Sequence, residues 1–105
     1  MGREYDKLVR DNIPEIIEAN NETPVTHVAE GEEYDRRLLA KLDEEVTEYK
    51  EEREPAELAD VLEVVYALCE QHERSTEDIE ELREQKADER GRFSEGIVLD
   101  RVDEE

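Results

Sequence analysis

The chain has 105 residues, of which 34 are Asp or Glu and 14 are Lys or Arg, giving a formal net charge of -20. This length allows one domain with a modest core, and no stretch approaches the roughly 20 apolar residues needed to span a bilayer. No basic stripe is present to neutralise phosphates, which argues against direct nucleic-acid binding. The single cysteine, Cys69, excludes an intrachain disulfide.

Charged residues make up 46% of the chain and hydrophobic ones 35%, proportions that taken alone lean towards disorder. The apolar residues are not scattered, however, but gathered in periodic segments, the pattern of a folded protein with an intensely acidic surface. Only four of the basic residues are lysines. Such a carboxylate-coated, lysine-poor surface suits molar salt, where the Debye length falls to about 3 Å and self-repulsion is screened. A halophilic source is therefore expected. The start, Met1-Gly2-Arg3-Glu4-Tyr5, is not a secretory signal, so a cytoplasmic location is expected.

In chain order, Tyr5 to Arg10 leads into a short helix over Ile13 to Ala19, with Asp11 or Asn12 as N-cap and Pro14 in the first turn. Asn20 to Pro24 is a turn cluster. Val25-Thr26-His27-Val28 alternates as a short strand or extended connector. A long helix follows from about Glu32 to Glu52, with the apolar stripe Leu38, Leu39, Leu42, Val46 and Tyr49 at the spacing of one face. The next helix, about Pro55 to His72, is apolar around most of its circumference, from Leu58 to Cys69. A helix of that kind must be covered on several sides, and a chain this short implies that a second copy helps to cover it. Ser75 caps a fourth helix, about Thr76 to Arg90, which Gly91 ends. Ile97 to Val102 reads as a strand able to pair with Val25 to Val28. The fold class is all-α, an antiparallel helical bundle with at most a short two-stranded ribbon, in one domain spanning residues 1–105.

The chemistry concentrates between Glu44 and Asp60. Glu44-Glu45-Val46-Thr47-Glu48 places Glu48 one turn from both Glu44 and Glu45, and Glu57-Leu58-Ala59-Asp60 pairs its two acids in the same way. Glu54-Pro55 reads as a helix restart between them. Glu48 and Asp60 each lie six residues from Glu54, about 9 Å along their helices, and so face each other. Carboxylates about 5 Å apart repel by roughly 3 kcal/mol per pair at an effective dielectric near 20. A fold that gathers four of them is built to hold a divalent cation, and hard oxygen ligands favour magnesium, manganese or calcium over zinc. Acidic motifs also arise by chance in such a chain: the same spacings recur at Glu80 to Glu84 and at Glu32 to Asp35. Only the Glu44 to Asp60 stretch has both halves in order across a helix break. Cys69 reads as a core residue, and His27 and His72 as structural, having no partners at ligand or triad spacing.

Three stretches together resemble the MazG-like, all-α nucleoside triphosphate pyrophosphohydrolase superfamily. Lys7-Leu8-Val9-Arg10-Asp11-Asn12-Ile13-Pro14-Glu15-Ile16-Ile17 is similar to the opening of a small house-cleaning or phosphoribosyl-ATP pyrophosphohydrolase-like subgroup. The EExxE and ExxD stretches resemble the superfamily's metal-binding signature, and Lys86 to Phe93 resembles the subgroup's KxxxRGxF segment. The resemblance runs from Lys7 to about Leu99. It implies magnesium-dependent (manganese also possible) cleavage between the α and β phosphates of a nucleoside triphosphate, in a homodimer or tetramer. It further implies metal ligation by Glu45, Glu48, Glu57 and Asp60, with Glu44, Glu45 and Glu48 as the catalytic carboxylates. Phosphate contact would fall to Lys7, Arg10, Lys86 and Arg90; the simpler alternative is that each pairs with a nearby acid, such as Arg10 with Asp6. The gap between Glu48 and Glu57 is short beside many members of the superfamily, which leaves little loop for recognising a base. Tyr34, Tyr49, Tyr66 and Phe93 are the aromatic candidates for stacking one. Two further readings stay open: a histidine-pathway phosphoribosyl-ATP pyrophosphatase, and a non-catalytic acidic module for protein interaction or metal binding.

Overall fold

The computed structural model describes residues 2–104 and contains four helices: α1 (Ile13–Ala19), α2 (Gly31–Glu52), α3 (Pro55–Gln71) and α4 (Thr76–Arg90). Their bounds fall within about a residue of those the periodicity and capping residues predict. In α1, Asn12 occupies the N-cap position and Pro14 the first turn, where its missing N–H costs nothing, although the Asn12 side chain makes no capping bond.

Two residues reverse the chain between α2 and α3. Arg53 takes the left-handed conformation (φ 58°, ψ 25°), and its backbone N–H donates to the Tyr49 carbonyl at 2.7 Å. Its Nε donates to the Lys50 carbonyl at 2.8 Å, so the side chain satisfies one of the carbonyls exposed where the helix ends. Glu54 is extended, and Pro55 opens α3. The result is an antiparallel helical hairpin that holds most of the packing in the molecule. Leu38, only 2% exposed, is its most buried side chain, joined by Val64 and Cys69. Leu42, Val46 and Tyr49 are half-buried along the predicted stripe, whereas Leu39 is exposed. Burial of a leucine of this kind contributes about 1.5–3 kcal/mol.

α4 begins with a complete capping box. The Ser75 hydroxyl accepts from the Asp78 N–H at 3.1 Å, and the Asp78 carboxylate accepts from the Ser75 N–H at 3.1 Å. With few apolar residues, α4 packs only lightly on α3. Beyond it, every residue from Gly91 to Glu104 is exposed. The molecule is accordingly long, 66 × 32 × 24 Å, with a radius of gyration of 18.7 Å, where a compact chain of this size has about 13 Å.

No strand occurs among the described residues, so the expected ribbon between Val25–Val28 and Ile97–Val102 does not form. Both segments lie outside the helices, and their valines, isoleucine and leucine stand in the open. An isolated two-stranded ribbon is marginal in water unless one face is packed, and neither segment lies on the helices. Among the described residues, no helix is long and apolar enough to cross a membrane.

Candidate metal centre

The hairpin brings α2 and α3 together so that Glu45, Glu57 and Asp60 each present a carboxylate oxygen, all three oxygens lying within 4.8 Å of one another. Glu45 is the buried member, 6% exposed, and the other two are half-buried. One oxygen of Glu45, Oε1, lies 3.1 Å from the Lys41 ammonium. The other, Oε2, is buried with no hydrogen-bond partner among the described residues. Leaving a buried charged acceptor unpartnered costs upwards of about 1–3 kcal/mol. A hard divalent cation would satisfy that oxygen and neutralise its neighbours, so the donor set fits magnesium or manganese.

Glu48 belongs to the expected metal set but not to this triad. It stands one turn along α2, close enough for the Glu45 charge, reinforced by burial and by Glu44, to push its carboxyl above the ordinary value. Glu57 is also raised, by burial first, then by its contact with Glu52 and the charges of Asp60 and Glu48. These shifts express the repulsion that the spacing predicts.

Glu44 is differently placed. Lys7 Nζ lies 2.7 Å from its Oε1 and Lys41 Nζ 2.9 Å from its Oε2. Burial would raise its carboxyl, but the bonds from Lys7 and Lys41 outweigh burial and hold it below the ordinary range. Lys41 is raised in turn: burial works against its charge, and the hydrogen bonds to Glu44 and Glu45 more than offset that.

The segment before α1 reaches across to this centre. Arg10 Nη2 donates to Asp60 Oδ1 at 2.7 Å, and Arg10 Nη1 lies 3.7 Å from Glu63. Arg10 thus pairs with acids of α3, not with Asp6. Asp6 belongs to Arg37, which donates to the Asp6 carbonyl and carboxylate, both at 2.9 Å. Arg37 also pairs with Glu33, which in turn holds His27 Nε2 at 2.8 Å. His27 therefore does have a side-chain partner, six residues away. Burial opposes the Arg37 charge less than its contacts favour it, the Asp6 bond being the strongest, so its basicity is raised.

Lys86 and Arg90 sit on the exposed last turns of α4 and pair with no acid among the described residues. The structure thus brings Lys7 and Arg10 to the carboxylates, but places neither Lys86 nor Arg90 in polar contact with them. Of the aromatic candidates, Tyr34 and Tyr49 are half-buried in the hairpin, and Phe93 is almost wholly exposed. Lys41 is the site residue that the sequence reading missed. Its signal was there: it precedes Glu44 and Glu45 by three and four residues, the spacing at which a lysine meets a carboxylate on one helix face.

Beside Lys7, Arg37, Lys41 and Glu44 lies a pocket of about 50 Å³, room for a water molecule and far below the roughly 300 Å³ of a small-ligand site. A broader depression lined by Gly31, Glu32, Asp35, Gln71 and His72 lies at the other end of the hairpin.

No protein-family model matches the chain, and no solved structure matches it. An uncharacterized protein of Mycolicibacterium smegmatis is 52% identical to it over 44 residues, which are 42% of this chain and 45% of that protein. The match therefore spans less than half of that relative's length.

Proposed function

We propose that this chain is a magnesium-dependent nucleoside triphosphate pyrophosphohydrolase of the MazG-like type, releasing a monophosphate and pyrophosphate in the cytoplasm. The observation that carries this reading is the meeting of the Glu45, Glu57 and Asp60 carboxylates, the first of which has an unpartnered buried oxygen, with Lys7 and Arg10 of the opening motif paired to acids of the same stretch. Glu45, Glu57 and Asp60 would hold the cation, with Glu48 alongside. Magnesium, when bound, supplies charge neutralisation for a polyphosphate and acidifies a bound water.

The chain's own residues divide the remaining work. Glu44 has both oxygens occupied by lysines, so it serves to place Lys7 and Lys41. Glu48 stands outside the triad, next to it on the same helix, and is the carboxylate left to accept a proton from water. Arg10 and Lys7 present cations beside the metal ligands, where they contact the phosphates of a substrate. The pocket beside Lys7, Lys41 and Glu44 is about 50 Å³, too small for a nucleotide, and a single copy leaves Leu58, Leu62 and Tyr66 of α3 partly exposed. Both facts favour a homodimer or tetramer in which the nucleotide pocket is completed between chains.

The small pocket also favours a second reading, a carboxylate module that binds the cation and turns nothing over. Pyrophosphate release from a panel of canonical and modified triphosphates, with phosphoribosyl-ATP included, separates the two. In molar salt with magnesium the wild type should release pyrophosphate, and Glu48→Gln should be slower by about 10²–10⁴-fold, the span ascribed to general-base catalysis. Cation binding with every triphosphate left intact would establish the module instead.

A further inference from the structure

We propose that residues 92–104 form an arm that exchanges between two copies of this chain, each arm covering the open apolar face of α3 in the other copy. The proposal rests on the homo-oligomer reading above and names the element that makes it. Phe93, Ile97, Val98, Leu99 and Val102 are 76–97% exposed, in a segment that follows α4 and is exposed at every residue. The segment nevertheless has a defined bend: the Gly96 N–H donates to the Phe93 carbonyl at 3.1 Å, and Gly96 adopts φ 65°, the left-handed conformation that glycine takes freely. Five large apolar residues held open in so acidic a chain form a patch that monomers rarely leave in water.

The receiving surface is on the same molecule. Leu58, Leu62 and Tyr66 recur every four residues along α3 and are 37–49% exposed, on a helix whose other side is packed against α2. Within one copy both the arm and this stripe are left uncovered. A two-fold pair in which each arm lies on the other copy's stripe covers all four surfaces, closes on itself and requires no other protein. A fully exposed large apolar residue presents roughly 150–200 Å² and each stripe residue less than half of that, so complete covering of two arms and two stripes would remove on the order of 2,000 Å² from water, the size of a stable interface. Charge opposes the pairing, since each copy carries -20. Exchange is therefore favoured by salt, which screens the repulsion while leaving the apolar contact in place.

Light scattering in molar salt tests this on the full chain. The wild type should have the mass of a dimer or a multiple of it. The combined variant Phe93→Ser/Ile97→Ser/Leu99→Ser, altered only at exposed positions, should fall to the monomer mass with its helical circular dichroism unchanged. Leu62→Glu should do the same from the receiving side. A wild type that is monomeric in molar salt overturns both the oligomer and the arm. An arm variant that stays oligomeric overturns the arm and leaves the oligomer standing. An arm variant that dissociates while Leu62→Glu does not overturns the placement on α3.

Discussion

Replacing Glu45 by glutamine should reverse the order of stability between variant and wild type as the divalent cation is added. Glu45 is buried, its Oε1 lies 3.1 Å from Lys41, and its Oε2 has no partner. The substitution keeps the shape and removes the charge. Lost is the attraction to Lys41; relieved is the repulsion from the Glu57 and Asp60 oxygens, which lie within 4.8 Å. Since charge energy falls as the inverse of distance, each repulsion is roughly two-thirds as strong as the attraction, and two of them offset the lysine. Without metal, Glu45→Gln should therefore lie within about 1 kcal/mol of the wild type, on the stabilised side. With magnesium at one hundred times its dissociation constant, the wild type gains about 2.7 kcal/mol, which for a domain of this size raises the melting midpoint by about 10 °C or more. The variant, lacking the buried ligand, should gain little. Thermal unfolding in molar sodium chloride, with and without magnesium, reads both quantities. A variant that retains the full magnesium shift would refute the assignment of Glu45 as a ligand, as would a metal-free variant that is severely destabilised.

Arg10→Ala should move two constants in opposite directions. Without the guanidinium on Asp60, magnesium binds up to about five-fold more tightly, the scale of an exposed pair, while KM for the triphosphate rises; calorimetry and steady-state kinetics check the two separately. Leu38→Ala should cost about 2–5 kcal/mol in urea unfolding, a large share of the stability of so small a core, and a cost under about 1 kcal/mol would place the core elsewhere. The pH dependence of the metal-free protein should show two opposed limbs. Glu48 and Glu57 have raised carboxyls, so their ionised forms subtract stability at neutral pH, and that penalty disappears as pH falls towards the ordinary value of 4.5. Glu44 has a lowered carboxyl, so its contribution is complete above 4.5 and is lost as pH falls through its folded value. Stability should thus rise on mild acidification and then fall, and Glu48→Gln should flatten the rise in a series of melting curves across pH.

The helices were legible because local signals fix them. Ser75 with Asp78, Pro55 after Glu54, and the stripe from Leu38 to Tyr49 each specify an end or a face without help from distant residues. The meeting of α2 and α3 acids followed from those ends, because helix rise fixes how far each residue lies from the turn. Glu48 was harder to place, since its membership of the triad depends on side-chain direction and not on spacing alone. Lys41 escaped notice because a lysine among acids reads as solvated, whereas in the fold it is half-buried between Glu44 and Glu45, with Lys7 and Leu8 of the opening segment beside it. For Arg10 the alternative to phosphate contact was an ion pair with a sequence neighbour such as Asp6, but tertiary structure brings Asp60 to it instead. The ribbon failed for a related reason. Alternation at Val25–Val28 and Ile97–Val102 specifies extended chain, whereas pairing needs one face of the ribbon packed, and the apolar residues of both segments stand exposed.

The most direct test of nucleotide pyrophosphohydrolysis at the Glu45, Glu57 and Asp60 centre is phosphorus NMR of the products. The wild type and Asp60→Asn would each be incubated with magnesium and the best triphosphate of the panel in molar salt. The expected result is monophosphate and pyrophosphate in equal amounts from the wild type and neither from the variant. Diphosphate with orthophosphate, no product at all, or equal turnover by Asp60→Asn would contradict it.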